Sequence, residues 1–133
     1  MSAAHNMEIV ENLKKHSEMP FERLRVVRSF GELSPESIRR GVVFIFAAWS
    51  GPAVAAFKRF TKILSSIETS KLDLIVLDTD CLDREVNLPE WAVKRGGWGE
   101  TIWIRDGQPV AQLRLSSPGT DNEIICHTRD LLD

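Results

Sequence analysis

One stretch of the chain, Val42–Ala53, constrains the fold more than any other. It reads V-V-F-I-F-A-A-W-S-G-P-A, an apolar run of strand length that ends at a tryptophan and a Gly-Pro turn. The run is apolar on both faces, which is typical of a central strand covered on both sides. Apolar side chains then recur at spacings of three and four, which predicts a helix from about Pro52 to Ile67. Because ligands of open α/β sheets gather at the carboxyl ends of such strands, this turn is the first candidate for function.

Composition limits the class of protein. The 133 residues fit one domain with a core of its own, and a formal net charge of -2 argues against a dominant nucleic-acid role. The longest apolar run, Val42–Trp49, is too short to span a membrane, and the N-terminus lacks a signal-peptide pattern. Cys81 and Cys126 are too few and too far apart for a metal site or a disulfide framework. We therefore expect a cytoplasmic protein without nucleic acid, membrane or metal as a partner.

The rest of the chain predicts alternating strands and helices. The predicted strands are Phe21–Arg28, Val42–Ala48, Leu72–Leu77, Glu100–Arg105 and Pro109–Leu115. The predicted helices begin at about Ser34, Pro52, Asp83 and Thr120, the last with a capping-box pattern, and a short helix from about Asn6 to His16 precedes them. Asp106-Gly107 is a strong hairpin signal, and the alternating strand after it is typical of a sheet edge.

The segment Trp49-Ser50-Gly51-Pro52-Ala53 resembles the active-site segment of the thioredoxin family, in which a buried strand leads into W-C-G-P-C and a long helix. The order of elements from about Phe21 to Asp133 is similar to the thioredoxin fold as well. The resemblance implies an α/β, thioredoxin-like fold with a mixed four- to five-stranded sheet flanked by helices. The domain would span residues 21–133. Residues 1–20 would form an N-terminal helical extension, expected to be a loosely docked arm or, alternatively, a partner-binding helix.

The chemistry of that family requires a thiolate at the helix N-terminus and a second thiol that resolves the mixed disulfide. Here Ser50 and Ala53 occupy the two cysteine positions. A serine hydroxyl is almost wholly un-ionised at neutral pH and cannot cycle between oxidation states. The resemblance therefore implies a fold without dithiol–disulfide exchange, and we expect no cofactor.

Three further positions differ from the thioredoxin pattern. Alignment on Trp49 puts Phe44 and Val76 where thioredoxins carry a buried aspartate and its accompanying lysine. An apolar pair packs at least as well as a buried ion pair. Counting back from Asp106-Gly107 puts Gly99 where thioredoxins have a cis-proline. We therefore interpret the chain as a non-redox member of the family.

Ser50 admits two interpretations. A helix N-terminus can stabilise an oxyanion, but a nucleophilic serine also needs a nearby base oriented by a third group. None of the three histidines is a convincing base, because His5 and His16 lie in the extension and His127 lies on the last predicted helix. A role as helix N-cap is the favoured interpretation.

Trp49 is the best functional candidate, since the resemblance places its ring on a substrate-docking surface. Trp98 is expected to lie across the same groove. The alternative is that both rings cover the core, and the resemblance then implies that the Trp49 indole N–H donates to Asp80. Trp91 and Trp103 are expected in the core or on a sheet face. The predicted binding residues, which we call the tryptophan site, are Trp49, Ser50, Gly51, Pro52, Trp98 and Gly99.

The sequence thus predicts a non-catalytic binding or accessory module that holds a protein or peptide segment at the tryptophan site. The alternative from another class is a single-thiol redox or glutathione-type enzyme that uses Cys81, although this cysteine lies outside the helix-start motif. Cys126 is expected in the core. A third interpretation is a structural subunit that self-associates through residues 1–20.

Overall fold

A computed structural model describes residues 3–82, 85, 88–93, 96–117 and 119–133, without the side chains of residues 3–8 and 93. Its centre is a mixed five-stranded sheet with the strand order β1-β3-β2-β4-β5. The strands are β1 Arg25–Val27, β2 Arg40–Phe46, β3 Asp73–Asp78, β4 Glu100–Arg105 and β5 Gln108–Arg114. The first three in spatial order are parallel, β4 is antiparallel to β2, and β5 is antiparallel to β4. The predicted mixed sheet is confirmed.

Helices cover both faces of this sheet. They are α1 Ala3–His16, α2 Phe30–Leu33, α3 Gly51–Ser65, α4 Thr79–Leu82, α5 Glu90–Val93 and α6 Asp121–Leu132. One core contains buried residues of α1, α3 and α6, and the other contains buried residues of α2, α4 and α5. Strand β2 contributes Phe44 to the first core and Val43 to the second, so it is covered on both sides as its sequence predicts.

The N-terminal helix docks more firmly than the sequence suggested. Ile9 and Leu13 of α1 are almost fully buried in the same core as Phe44 and Phe60. These two residues are one helical turn apart, so a single face of α1 packs on the fold. The expectation of a loosely docked arm is therefore wrong for this stretch.

One helix start and one helix cap differ from the prediction. The helix expected at Ser34 begins earlier, because the Ser29 hydroxyl accepts a hydrogen bond from the Glu32 N–H and caps α2. Ser34 has a φ of 46° and ends that helix, and Pro35–Ser37 forms a single 3₁₀ turn. At the start of α6, Thr120 makes no side-chain cap, since its hydroxyl instead accepts a hydrogen bond from Arg59.

Of the helix predicted from about Asp83 to Lys94, the described residues form only the short helix α5, and Glu85, Leu88 and Pro89 are not helical; residues 83, 84, 86, 87 and 94 lie outside the described residues. The first predicted strand is also shorter, because Phe21–Arg23 forms a 3₁₀ turn ahead of β1. Cys126 is exposed instead of buried. It is two residues beyond Ile124, which points into the core, so it falls on the opposite face of α6.

The predicted hairpin and edge strand are confirmed. Asp106 and Gly107 join β4 to β5 with φ values of 50° and 78°, and β5 lies at the edge of the sheet. A register irregularity between Trp103 and Ile104 and the proline at Pro109 interrupt regular pairing at this edge. Within the described residues, no helix combines the length and the apolar character that crossing a membrane requires.

Candidate functional site

The tryptophan site forms at the carboxyl end of the central strands. Phe46 at the end of β2 pairs with Asp78 at the end of β3, so the segments that follow these strands leave the sheet side by side. Trp49 lies on the first of these segments and Asp80 on the second. The Gly96–Gly99 loop, which leads into β4, packs against the same place.

Trp49 has an exposed ring with a fixed polar end. Its side chain is 66 % exposed, while its indole Nε1 donates a hydrogen bond to Asp80 Oδ1 at 3.0 Å. The predicted bond to Asp80 is thus confirmed, but the ring does not cover the core. A large apolar surface remains in water, with its orientation set by a charge-assisted hydrogen bond.

Ser50 caps α3 and also ties that helix to the Gly96–Gly99 loop. Its Oγ accepts from the Ala53 N–H at 3.3 Å and donates to the Gly97 carbonyl at 2.5 Å, and the residue is only 7 % exposed. The N-cap interpretation is confirmed. The hydroxyl proton is directed at the Gly97 carbonyl and not at a base within the described part of the chain, whereas a nucleophilic serine hands its proton to a base.

Glu100 holds the loop from its other side, and the sequence reasoning missed it. Its carboxylate, 6 % exposed, accepts from the Gly96 N–H at 3.0 Å and from the Trp98 N–H at 3.3 Å. The Trp98 carbonyl accepts from the Ser116 N–H at 3.1 Å. The available signal was an acidic residue directly after a glycine-rich loop. These contacts fix the main chain on which the Trp98 side chain is carried.

Two glycines let the loop approach its neighbours closely. Gly97 and Gly99 have φ values of 76° and 71°, in the left-handed region that glycine adopts without strain. A β-carbon at Gly97 would lie 2.8 Å from Cη2 of Trp49, and one at Gly99 would lie 2.7 Å from Cβ of Ala56. Side chains at these positions would push the loop away from Trp49 and from α3.

The structure divides the six predicted binding residues into two groups. Trp49, Gly51, Pro52 and Trp98 are exposed, and Trp98 is 49 % exposed. Ser50 and Gly99 are buried. The first group can contact a partner directly, whereas the second group holds α3 and the loop in place.

The positions that align with the thioredoxin ion pair are apolar and face each other. Phe44 and Val76 are paired in the β2–β3 register, and both are fully buried in the core shared with α3. No ionisable side chain therefore occupies either position beneath the start of α3. General acid–base chemistry at Ser50 has no support from this part of the core.

Cys81 lies in a setting that suppresses its reactivity. Burial, reinforced by the neighbouring Asp78 carboxylate, raises the pKa of the Cys81 thiol to about 12. Its Sγ donates to Asp78 Oδ2 at 3.3 Å, which also favours the protonated form. Since the thiolate is the nucleophile, the thiol is nearly inert at neutral pH. Among the described residues, no cluster of three or more histidine, cysteine or carboxylate side chains could hold a metal ion.

Comparisons with known proteins show the fold alone. No protein-family model matches the chain, and no curated protein sequence is significantly similar to it. Several solved structures are similar to this chain over most of their own length. A chain from the structural study of thiol resolution in yeast mitochondrial 1-Cys peroxiredoxin has a TM-score of 0.63 at 12% identity, over 84% of this chain and 99% of that one.

Two thioredoxin structures agree with this match. Thioredoxin of Malassezia sympodialis has a TM-score of 0.58 at 18% identity and covers 79% of this chain and 90% of its own. Thioredoxin of Trypanosoma brucei brucei has a TM-score of 0.58 at 15% identity, with coverages of 86% and 96%. The predicted thioredoxin-like fold is confirmed. Identities this low carry neither the activity nor the partners of those proteins to this chain.

Proposed function

We propose that this chain is a non-catalytic accessory module that holds a protein segment at the tryptophan site and performs no disulfide exchange. The observation that carries the proposal is the exposure of two indole rings beside a loop that internal hydrogen bonds fix in place. The large hydrophobic side chains exposed in the described part of the chain are Trp49, Trp98 and Val110, and two of these three belong to the site.

The physical argument rests on aromatic anchors. Exposed tryptophans lose water on binding and are enriched among the residues that dominate interface energies. A fixed surface also loses little conformational entropy when a partner docks. The Asp80 bond to Trp49 and the Glu100 bonds to the loop provide such a surface before any partner arrives.

We propose that the protein performs no disulfide exchange because of the residues at the start of α3. Ser50 uses its hydroxyl to hold main-chain groups, and Ala53 has no functional group. The raised pKa of Cys81 also disfavours the single-thiol alternative, because very little thiolate forms at neutral pH. A cytoplasmic setting belongs to the same proposal and rests on the composition of the chain.

The test is a quantitative affinity capture from an extract of the source cell in which free thiols have been alkylated. Wild-type protein is compared with the double variant Trp49→Ala, Trp98→Ala. The matched control is Val110→Ala, which removes an exposed hydrophobic side chain from β5. We expect a partner that is retained by wild type and by the control and lost from the double variant. Equal capture by all three proteins would refute the site.

A second arm tests the chemistry. Wild-type protein should not accelerate the reduction of insulin by dithiothreitol, because neither helix-start position carries a thiol. Acceleration that persists in Cys126→Ser and disappears in Cys81→Ser would contradict the proposal and establish a single-thiol enzyme.

A further inference from the structure

A cavity lined by charged residues, which we call the charged cavity, lies at the end of the sheet opposite the tryptophan site. Its volume of about 680 Å³ is in the range of small-molecule sites. Strand β2 begins at Arg40, which lines this cavity, and ends at Phe46 beside the tryptophan site, about 20 Å away. The two sites are therefore separate, and the inference drawn from the cavity does not rest on the proposed function.

The walls of the charged cavity are joined by contacts between distant parts of the sequence. The Asp106 N–H donates to the Arg39 carbonyl at 2.8 Å, which ties the β4–β5 turn to the segment before β2. Arg105 Nη2 donates to the Asp130 carbonyl near the end of α6. In the antiparallel register, Arg40 and Arg105 lie directly opposite each other. The fold thus brings these residues together before any ligand binds.

Positive charge is concentrated in this cavity. Its cationic residues are Arg39, Arg40, Lys71 and Arg105. Like charges placed directly opposite each other on paired strands destabilise a sheet, and Arg40 and Arg105 are such a pair. Arg105 Nε also has no hydrogen-bond acceptor among the described residues. An anion bound between these side chains would relieve the repulsion between them.

Carboxylates line the same cavity without pairing with its cations. They are Asp73, Asp106 and Asp133. Among the described residues, no ion pair with an N–O distance of 4.0 Å or less involves the cations or the carboxylates of the cavity. Opposite charges that line one cavity and stay apart leave space between them. A ligand that fills this space needs acceptors on one side and hydrogen-bond donors on the other.

A phosphate monoester that carries hydroxyl groups has both properties. At neutral pH its phosphate has a charge of about −1.5 to −2 and three acceptor oxygens, and guanidinium groups bind such oxygens with two N–H groups at once. A carboxylate ligand offers a single charge and two oxygens, which is a poorer match to several arginines. The carboxylates of the cavity would repel an isolated phosphate, but they accept hydrogen bonds from hydroxyl groups.

We propose that the charged cavity binds a small phosphate monoester of a polyhydroxy compound. Arg40 and Arg105 hold the phosphate, because they face each other across β2 and β4. Asp73 accepts hydrogen bonds from the hydroxyl groups. It pairs with Gly41 in the β2–β3 register, so it lies one position from Arg40 on the neighbouring strand.

The experiment titrates the full, ¹⁵N-labelled chain separately with myo-inositol monophosphate, myo-inositol and inorganic phosphate, and follows the backbone amides and indoles by NMR. Low ionic strength is used because salt screens exposed charges. We expect myo-inositol monophosphate to shift the amide signals of Arg40 and Asp106, while the indole signals of Trp49 and Trp98 stay in place. Its dissociation constant should be at least about tenfold lower than that of either fragment alone.

Two double variants test the cationic side of the cavity. Arg40→Gln, Arg105→Gln removes the proposed phosphate ligands and should weaken the binding of myo-inositol monophosphate by about tenfold or more. Arg39→Gln, Lys71→Gln changes two exposed residues of the same cavity and should weaken the binding severalfold. Because the second variant alters only exposed side chains, it keeps the test valid if the first one does not fold.

Two further variants separate the hydroxyl contacts and the overall charge. Asp73→Ala should bind inorganic phosphate as well as wild type does, or better, and should lose most of the preference for myo-inositol monophosphate. Lys62→Gln, Arg114→Gln is the matched control, because it removes two positive charges from exposed positions outside the cavity. This control should bind myo-inositol monophosphate as wild type does.

Three results would overturn the inference. The first is the absence of shifts at the cavity with tens of millimolar myo-inositol monophosphate. The second is equal affinity for this ester and for inorganic phosphate, which would show a surface that attracts any phosphate. The third is an equal loss of affinity in the control and in the cavity variants, which would show an effect of net charge alone.

Discussion

Phe44 and Val76 lie opposite each other on the parallel strands β2 and β3, and both are fully buried. The Phe44 ring packs against Phe57 and Phe60 of α3, with centroid distances of 5.4 Å in both cases. The core beneath the tryptophan site is therefore hydrocarbon at the positions where the thioredoxin resemblance implies an aspartate and a lysine. This core stabilises the helix start without offering a group that could transfer a proton.

Restoring the ion pair should destabilise the protein. In the double variant Phe44→Asp, Val76→Lys, the two charges are desolvated and the ring contacts with α3 are lost. We expect the free energy of unfolding in urea to fall by at least about 3 kcal/mol. Phe44→Leu is the control and should cost about 1.5 kcal/mol. A double variant as stable as the control would show that this core accepts an ion pair.

Ser50→Ala should reveal the tie between α3 and the loop. The variant removes the N-cap and leaves the Gly97 carbonyl without its donor, so we expect a loss of about 1–2 kcal/mol in the free energy of unfolding. Ser65→Ala is the comparison, because its hydroxyl is exposed and bonds only within the last turn of α3. If both substitutions lower the free energy of unfolding by the same small amount, the Ser50 hydroxyl contributes no more to stability than an exposed hydroxyl does.

Glu100→Ala should loosen the loop that carries Trp98. Two N–H groups lose their acceptor, and we expect a stability loss of about 1–3 kcal/mol together with faster motion of the Trp98 indole in ¹⁵N relaxation. Glu100→Gln keeps one acceptor oxygen, so its stability and its Trp98 dynamics should lie between those of wild type and Glu100→Ala. Glu11→Ala, on the exposed surface of α1, is the control. Unchanged Trp98 dynamics in Glu100→Ala would contradict the positioning role.

The thiol at position 81 should react slowly and only at high pH. In Cys126→Ser, which retains Cys81, alkylation near pH 7 should be far slower than in Cys81→Ser, which retains the exposed Cys126. The rate should still be rising at pH 10, because the pKa of Cys81 is raised to about 12. Alkylation of Cys81 at neutral pH as fast as that of glutathione would contradict this assignment.

The raised pKa of Cys81 also predicts how the stability of the protein changes with pH. The thiol ionises near its ordinary value of 9.0 in the unfolded chain but near 12 in the folded protein. The contribution of Cys81 to the free energy of unfolding is therefore fully present below pH 9. It is lost as the pH rises towards 12, because ionisation of the thiol then favours the unfolded state. Cys81→Ser should make the free energy of unfolding less dependent on pH in this window.

The local patterns of the sequence predicted the centre of the fold well. The run Val42–Ala48 and the helix after Pro52 are defined by unbroken apolar periodicity, and the structure places them within two residues of the prediction. The Asp106-Gly107 turn needs no tertiary context, because its residue types already favour positive φ. The Trp49 bond to Asp80 was an expectation from the thioredoxin resemblance, and the paired ends of β2 and β3 bring the two residues together.

Features that depend on competition between contacts were missed. The sequence pattern predicted a helix start at Ser34, but Ser29 caps α2 because its hydroxyl reaches the Glu32 N–H in the folded backbone. The Thr120 hydroxyl is bonded by Arg59 from a distant part of the chain, which no local capping pattern reveals. Glu100 has nearby partners, but its role depends on a left-handed loop conformation that the glycines permit without specifying.

The most direct test of the account is site-specific photo-crosslinking in living source cells. A benzoylphenylalanine at Ala55, an exposed residue about one turn beyond Gly51 on α3, would keep both tryptophans intact, and one at Val110 would serve as the control. We predict a discrete crosslinked protein from position 55 that is absent from position 110. It should disappear when Trp49→Ala and Trp98→Ala are added. Crosslinks that are identical at both positions, or that survive loss of both tryptophans, would contradict a binding role for the site.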